Sequence, residues 1–209
     1  MPSQIGTVPG TVIREGGVEN KSGLVSVRPG VATGEVEFET NGLVVSISGG
    51  GSLPQGHPIC YEVEKLALGI ASRGGVLVNG GENNGTMLAV TSVAREYTLG
   101  IHCPYHQEIP FGTMAVVNSY QTRKMLISIM PYVVVFPGQV GTMDELMTCI
   151  GWIKSLFKQN GVPPQLFVHT YWWDVIDLLN KKGAIQDNVW QHIKQFNEVD
   201  EILKQIQTT

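Results

Sequence analysis

Apolar and polar positions follow one repeating pattern from Leu43 onward. Short apolar runs, typical of buried strands, alternate with longer segments in which apolar residues recur at helical spacing. The runs predict strands near residues 43–48, 75–79, 98–103, 132–136 and 165–169. The helical spacing predicts helices near residues 58–73, 86–96, 118–130, 143–158, 171–181 and 186–206. Strands that alternate with helices predict an α/β fold, an open parallel sheet with helices on both faces.

The first part of the chain has a different composition. Residues 1–41 are rich in Gly, Val, Thr and Glu, and their alternating stretches at 24–28 and 35–39 predict small antiparallel strands. We therefore expect a β-rich N-terminal extension over residues 1–41 and an α/β domain over residues 42–209. The sequence assigns no function to the extension.

The segment after the fourth predicted strand combines a glycine loop with the start of a helix. The apolar run 132–136 is followed by Pro-Gly-Gln-Val-Gly-Thr-Met-Asp-Glu, residues 137–145, and then by a helical apolar stripe. The N-terminus of a helix presents unpaired backbone N–H groups and the positive end of its dipole, so an anion can bind there. Glu145 lies one turn into this helix. An anion site beside a carboxylate indicates chemistry on a phosphorylated small molecule.

The same residues also fit a purely structural explanation. Thr142 and Glu145 have the spacing of a capping box, in which the Thr caps the helix and the Glu reaches back to it. Capping alone, however, needs no glycine at both Gly138 and Gly141, whereas close approach of a ligand to the backbone does. This difference favours a ligand site.

A basic pair, Arg123 and Lys124, lies on the helix predicted before the same strand. Next to an acid and an anion loop, Arg123 is better explained as functional than as a solvated surface charge, whereas for Lys124 the two explanations weigh about equally. Two more glycine loops, residues 49–52 and 80–85, also follow strands. Each could be only a tight turn, but both lie at the carboxyl edge, where open α/β sheets bind ligands. The second lacks the G-x-G-x-x-G spacing of dinucleotide loops, which disfavours a bound NAD.

Charge and composition argue against several other classes. A net charge of −4 over 209 residues is unlike a nucleic-acid-binding surface, which is normally basic. No apolar stretch approaches the ~20 residues of a membrane helix, and residues 1–6 lack a secretory profile. The three cysteines include no CxxC pair, which predicts reduced, buried thiols in a cytoplasmic protein. Residues 102–106, His-Cys-Pro-Tyr-His, lack an identifiable fourth ligand, so we expect no metal site there.

Four of these segments together resemble the Lonely Guy-type cytokinin riboside 5′-monophosphate phosphoribohydrolases, a family of lysine decarboxylase-like Rossmann proteins. The resemblance is carried by Arg123-Lys124-Met125, by the Pro-Gly-x-x-Gly-Thr-x-x-Glu motif at 137–145, and by the glycine loops at 49–52 and 79–87. It extends from about Leu43 to Leu179. It implies a Rossmann-like nucleotide-binding domain over residues 42–209.

The resemblance implies an activity and a set of site residues. The reaction is cleavage of the N-glycosidic bond of a nucleoside 5′-monophosphate, a cytokinin riboside monophosphate or an AMP-like nucleotide, to free base and ribose 5-phosphate. Glu145 and Arg123 are implied as the catalytic pair, because a carboxylate stabilises the positive charge that builds on the ribose. The implied substrate-binding residues are Gly138, Gly141, Thr142, Lys124, Gly50, Ser52, Gly80 and Gly81. No metal or redox cofactor is implied, and the implied partners are the nucleotide and a second copy of the chain.

The chain departs from the family pattern at Gln139, where glycine is usual. The amide either contacts the ligand or points away while the loop keeps its shape, and we expect the second. Related proteins bind nucleotide-like ligands, including the molybdenum cofactor, without hydrolysis, so a carrier is the second hypothesis. A purely structural subunit is the third, and it leaves Arg123 and Glu145 without a role. A homodimer is also favoured by Trp152, Leu156 and Phe157, which lie beyond the apolar stripe of their helix.

Overall fold

The computed structural model describes residues 4–8, 11–16, 18–19, 34–38, 43–103, 113–117, 119–158 and 161–206. Its strands are β1 (Gln4–Val8), β2 (Thr11–Gly16), β3 (Val18–Glu19), β4 (Gly34–Phe38), β5 (Val44–Ser48), β6 (Val76–Asn79), β7 (Thr98–His102), β8 (Thr113–Val116), β9 (Tyr132–Val135), β10 (Gln165–His169) and β11 (Ile193–Phe196). Its helices are α1 (Pro58–Ala71), α2 (Gly85–Ala94), α3 (Tyr120–Ser128), α4 (Val140–Lys158), α5 (Thr170–Lys181), α6 (Asp187–Trp190) and α7 (Val199–Gln205), with a short 3₁₀ helix at Arg95–Tyr97.

Within the described residues, seven parallel strands form the main sheet in the order β11-β10-β9-β5-β6-β7-β8. Strand β5 pairs with β6 on one side and β9 on the other, so that Val45 lies opposite both Leu77 and Tyr132. The chain runs outward from β5 to β8, then returns to β9 and continues to β11. The direction of winding therefore switches between β5 and β9, which is where open α/β sheets bind ligands. The predicted Rossmann-like α/β fold is confirmed.

The central strands are buried on both faces because helices cover each face of the sheet. Val45, Leu77, Val134 and Phe167 pack into one cluster with apolar residues of α1, α2 and α7. The alternate residues of the same strands pack on the opposite face, in two clusters with apolar residues of α3 and of α4, α5 and α6. Alternation along each strand thus places its side chains in turn on the two faces of the sheet.

The five predicted strands correspond to β5, β6, β7, β9 and β10, and the predicted helix over 186–206 is wrong. In its place the structure has α6, the strand β11 and α7. Val189, Ile193 and Phe196 are buried and recur at helical spacing, which mimics a helical stripe. Pairing of Ile193 with Leu166 of β10 instead extends the segment as an edge strand. The other edge strand, β8, was not predicted from the sequence.

Strands β1 to β4 form a separate sheet in the order β1-β2-β4-β3. Of the two predicted stretches, residues 35–39 correspond to β4, and residues 24–28 lie outside the described residues. The pairs β1–β2 and β2–β4 are antiparallel as expected, but β3 and β4 run parallel.

Two other expectations concern the cysteines and membrane insertion. Cys60, Cys103 and Cys149 are all buried and free, which confirms the prediction of buried thiols. Burial raises the pKa of the Cys149 thiol far above its usual range. In the part of the chain that the structure describes, no helix has the length and apolar character needed to cross a membrane.

The side chains that favoured a homodimer from the sequence are not exposed. Trp152 packs against the core cluster that contains Leu126, and the Phe157 ring lies 5.2 Å from the His192 ring. The three side chains are half-buried rather than fully exposed, and the homodimer stays a prediction.

A glycine inside α1 tests the packing of α1 on α7, and a glycine inside α4 serves as the comparison. A Cβ at Gly151 of α4 would meet no atom within 4 Å, whereas a Cβ at Gly69 of α1 would lie 2.7 Å from both Cδ atoms of Leu203. Alanine is favoured over glycine inside a helix by ~0.5–1 kcal/mol. In urea denaturation we expect Gly151→Ala to raise the free energy of unfolding by about this amount and Gly69→Ala to lower it. A stabilised Gly69→Ala would show that the Leu203 side chain moves aside at little cost.

Candidate active site

The carboxyl ends of the central strands surround a cavity of about 370 Å³. It lies at the switch point of the sheet, and four parts of the chain line it. These are residues 47–52 at the end of β5, the segment after β6 with Gly80, Glu82, Asn84 and Met87, the α3 residues Tyr120 and Arg123, and the start of α4 with Gln139, Gly141, Thr142 and Glu145.

Backbone contacts hold the three loops around this cavity together. The Gly50 N–H donates to the Pro137 carbonyl at 2.9 Å, and the Thr86 N–H donates to the Gly50 carbonyl at 3.2 Å. A Cβ at Gly138 would overlap Thr142 Oγ1 and lie 2.9 Å from the Gly50 nitrogen. Gly138 is therefore required by close packing of the chain on itself, and the Gly50 N–H already has a protein acceptor.

Helix α4 begins three residues earlier than predicted. The Met143 N–H donates to the Gln139 carbonyl at 3.1 Å, so Gln139 precedes the first turn, which contains Gly141 and Thr142. Thr142 is thus not the capping residue, and the capping-box explanation is wrong. The N–H groups of this first turn have no acceptor within the helix, and the turn contains no acidic residue. A Cβ at Gly141 would meet only the Tyr120 hydroxyl, at 4.0 Å, so the missing side chain leaves this part of the cavity open.

Arg123 lies between two carboxylates and is only 4% exposed. Its Nε donates to the Ile101 carbonyl at 3.0 Å, and its Nη2 donates to the Gly80 carbonyl at 3.2 Å and to Glu82 Oε1 at 3.1 Å. Its Nη1 lies 3.7 Å from Glu145 Oε1. Each guanidinium nitrogen therefore contacts a protein acceptor. This arrangement fixes Arg123 and suits it to orient the two carboxylates rather than to hold a phosphate.

Burial and charge act in opposite directions on Glu145, whose side chain is 13% exposed. Burial raises the pKa of the carboxyl, and the Arg123 guanidinium and then the Ser48 hydroxyl lower it, with the net result that it is raised. Ser48 lines the cavity and is 3% exposed. Its hydroxyl is near Glu145 but outside hydrogen-bond geometry, and among the described residues Ser48 Oγ has no hydrogen-bond partner. A buried hydroxyl without a partner at a cavity wall is a candidate contact for a ligand.

The structure brings most of the predicted site residues together. Those that line the cavity are Arg123, Glu145, Gly50, Ser52, Gly80, Gly141 and Thr142. Gly138, as described, packs between two loops. Gly81, at φ +74°, donates its N–H to Asn79 Oδ1 at 2.8 Å and so shapes its loop. Lys124 does not line the cavity, because its Nζ forms an ion pair with Asp144 Oδ2 at 2.8 Å. Gln139, where the chain departs from the family pattern, is exposed and belongs to the cavity lining.

Several cavity residues were missed by sequence reasoning. Glu82 is the most important, because it is buried and pairs with Arg123. The available signal was an acidic residue inside a glycine loop at the carboxyl edge. Tyr120 was also missed; burial, and next the charge of Glu145, raise the pKa of its hydroxyl, which keeps it protonated.

The described residues contain no group of three or more His, Cys, Asp and Glu side chains arranged to hold a metal ion. In the segment 102–106, His102 and Cys103 are buried at the end of β7, and the remaining three residues lie outside the described part of the chain.

A doubly wound parallel sheet with a glycine-lined cavity at its switch point defines a Rossmann-like α/β protein. The chain belongs to the family described as possible lysine decarboxylase, whose model matches residues 69–206. This match confirms the lysine decarboxylase-like Rossmann family indicated by the motifs. Comparison with curated proteins finds no matching sequence.

Solved structures with the same fold have different recorded functions. A molybdenum cofactor binding protein from Rippkaea orientalis is 15% identical with a TM-score of 0.57, covering 78% of this chain and 94% of its own. The molybdenum cofactor carrier protein from Chlamydomonas reinhardtii is 14% identical with a TM-score of 0.55, covering 78% and 96%. DNA processing protein A from Helicobacter pylori is 16% identical with a TM-score of 0.54, covering 79% and 80%. At these identities the likeness shows the fold alone.

The raised pKa of Glu145 predicts a particular dependence of stability on pH. The folded chain binds this proton more tightly than the unfolded chain does. The resulting stabilisation is fully present below about pH 4.3, the pKa of an exposed glutamate, and is lost as the pH rises through the folded pKa. The Glu145→Gln side chain is neutral at every pH, so this variant loses no stability by ionisation at position 145. We expect its free energy of unfolding, relative to the wild type, to increase with pH in urea denaturation. A relative stability that decreases with pH would mean that Arg123 outweighs burial.

Proposed function

We propose that this protein is a phosphoribohydrolase that cleaves the N-glycosidic bond of a nucleoside 5′-monophosphate, a cytokinin riboside monophosphate or an AMP-like nucleotide. The products are the free base and ribose 5-phosphate. The observation that carries the proposal is the buried Arg123–Glu145 pair, 3.7 Å between Nη1 and Oε1, in the same cavity as the first turn of α4, whose N–H groups have no acceptor within the helix. Membership of the lysine decarboxylase-like family supports it.

The start of α4 provides the site for the 5′-phosphate. The N–H groups of Gly141 and Thr142 and the Thr142 hydroxyl can donate to phosphate oxygens, and the helix dipole favours the negative charge. Glu145 lies four residues further along the helix, about 6 Å along its axis. A phosphate held at the first turn therefore places the ribose beside the Glu145 carboxylate. Binding energy from the phosphate, remote from the reacting bond, orients the sugar.

The reaction breaks the bond between C1′ and the base nitrogen, and the bonding electron pair leaves with the base, which takes up one proton to balance the proton that water gives up. Positive charge then develops on the ribose ring, and an ionised Glu145 stabilises it. Water adds to C1′ and gives up a proton. Glu145 acts either as the base that takes this proton or as a nucleophile that water later displaces. Arg123 is a positioning residue, because it orients Glu145 and lowers its pKa against the effect of burial.

A second candidate function is supported by the charges around Arg123. The guanidinium lies closer to Glu82, at 3.1 Å, than to Glu145, at 3.7 Å. If Arg123 serves mainly Glu82, burial keeps Glu145 protonated, and a neutral carboxyl does not stabilise a ribose cation. The protein would then bind a nucleotide or the molybdenum cofactor without cleaving it, as a carrier. The molybdenum cofactor binding and carrier proteins of the same fold support this alternative.

A turnover assay separates the two functions. Wild-type protein incubated with a panel of nucleoside 5′-monophosphates should release free base, measured by chromatography. Glu145→Gln keeps the size of the side chain but not its charge, so turnover should fall at least ~100-fold while nucleotide affinity changes by less than about threefold. Asp144→Asn is the matched control, because this neighbouring acid does not line the cavity.

The control should keep turnover within about threefold of the wild type. Unchanged turnover in Glu145→Gln would remove Glu145 from the reaction. Nucleotide binding by the wild type without release of any base would favour the carrier.

Gly141→Ala tests the phosphate site. The added methyl group projects into open space at the first turn of α4, so folding should be unaffected, but it obstructs approach of the phosphate. By calorimetry, the Kd for a nucleoside 5′-monophosphate should rise at least ~tenfold, while the Kd for the nucleoside without phosphate should stay the same. Gly151→Ala on the same helix is the control and should change neither. Equal losses for nucleotide and nucleoside would place the phosphate elsewhere.

A further inference from the structure

Glu82 is a buried acid in the cavity that the proposed reaction does not use. It follows β6, is 5% exposed and belongs to the cavity lining. Arg123 Nη2 donates to its Oε1 at 3.1 Å. The same guanidinium nitrogen donates to the Gly80 carbonyl at 3.2 Å, so both contacts fix the loop that carries Glu82. Glu82 lies closer to the guanidinium than Glu145 does, at 3.1 Å against 3.7 Å, and it also forms part of the cavity wall.

The position of Glu82 in the topology indicates what it contacts. The strands β7-β6-β5-β9-β10-β11 have the 3-2-1-4-5-6 order of dinucleotide-binding sheets, with β5 as the first strand and β6 as the second. In those sheets, an acidic residue after the second strand accepts a hydrogen bond from a ribose hydroxyl. Glu82 follows the second strand here. The glycine loop after β5, residues 49–51, lines the same cavity.

We infer that Glu82 binds the 2′- and 3′-hydroxyls of the ribose and makes the site selective for ribonucleotides over 2′-deoxyribonucleotides. This inference rests on the proposed function, because it requires a nucleotide in the cavity. An ionised carboxylate accepts hydrogen bonds through both oxygens, about four in all, so the bond from Arg123 does not by itself prevent others. Arg123 fixes the position of this carboxylate in the cavity wall.

The expected selectivity follows from the strength of such bonds. A hydrogen bond to a charged group contributes enough for roughly a ten- to hundredfold difference in affinity. A ligand without the 2′-hydroxyl also leaves a desolvated carboxylate without that donor. The loss should therefore appear as a ratio between two ligands that share the same base and phosphate.

The experiment measures affinities in the Glu145→Gln background, in which turnover does not interfere. The probes are adenosine 5′-monophosphate and its 2′-deoxy and 3′-deoxy analogues, titrated by calorimetry. With Glu82 present, adenosine 5′-monophosphate should bind roughly ten- to hundredfold more tightly than the 2′-deoxy analogue. Adding Glu82→Gln should weaken binding of the ribonucleotide. The ratio of its affinity to that of the 2′-deoxy analogue should then fall to less than about threefold. Adding Asp144→Asn instead removes a nearby ion pair outside the cavity and should leave the ratio unchanged.

The possible failures are distinguishable. Equal affinity for the three nucleotides when Glu82 is present would overturn the inference and leave the proposed function standing. Glu82→Gln that weakens all three equally would show that Glu82 acts only through Arg123, and would also overturn it. Failure of all three nucleotides and of a cytokinin riboside 5′-monophosphate to bind would overturn the proposed function itself. If Glu82→Gln does not fold, Glu82→Asp keeps the charge and should reduce the same ratio by withdrawing the carboxylate.

Discussion

The site depends on a single buried positive charge. A guanidinium removed from water costs several kcal/mol unless it is well paired and hydrogen-bonded. The partners of Arg123 come from the end of β7, from the loop after β6 and from α4. A side chain at Gly80 would overlap the guanidinium, so this glycine is required by the charge itself. Pairing one cation thus brings three separate parts of the chain to one edge of the sheet.

The same pairing determines the chemistry available to Glu145. Two carboxylates share one cation, and burial favours the protonated form of the more distant one. Ionisation of Glu145 is therefore balanced between desolvation and attraction. The proposed anion site lies one turn before Glu145, and the first turn of α4 itself contains no acid that would repel an anion. One short helix segment combines a region suited to a negative ligand with a carboxylate one turn away.

Much of the fold could be predicted because central strands are short apolar runs and their helices have apolar stripes. The edge strands were missed for a physical reason: Lys194 and Gln195 of β11 are exposed, so that strand lacks a continuous apolar run, and its buried ends have helical spacing. The pairing of Arg123 with Glu145 was predictable, since both residues flank the same strand. The pairing of Glu82 with Arg123 was not predictable, because a loop acid beside glycine and asparagine has the composition of an ordinary turn.

The hydrogen bond from Gly50 to Pro137 joins the two walls of the cavity across the switch point of the sheet. Because the Thr86 N–H in turn holds the Gly50 carbonyl, three loops form one continuous backbone network around the empty space. A molecule that enters this space meets three loops whose arrangement these hydrogen bonds already fix. Little conformational freedom then remains to be lost on binding, so affinity reflects mainly the contacts themselves. Among related ligands, differences in affinity are then expected chiefly in how long each one stays bound.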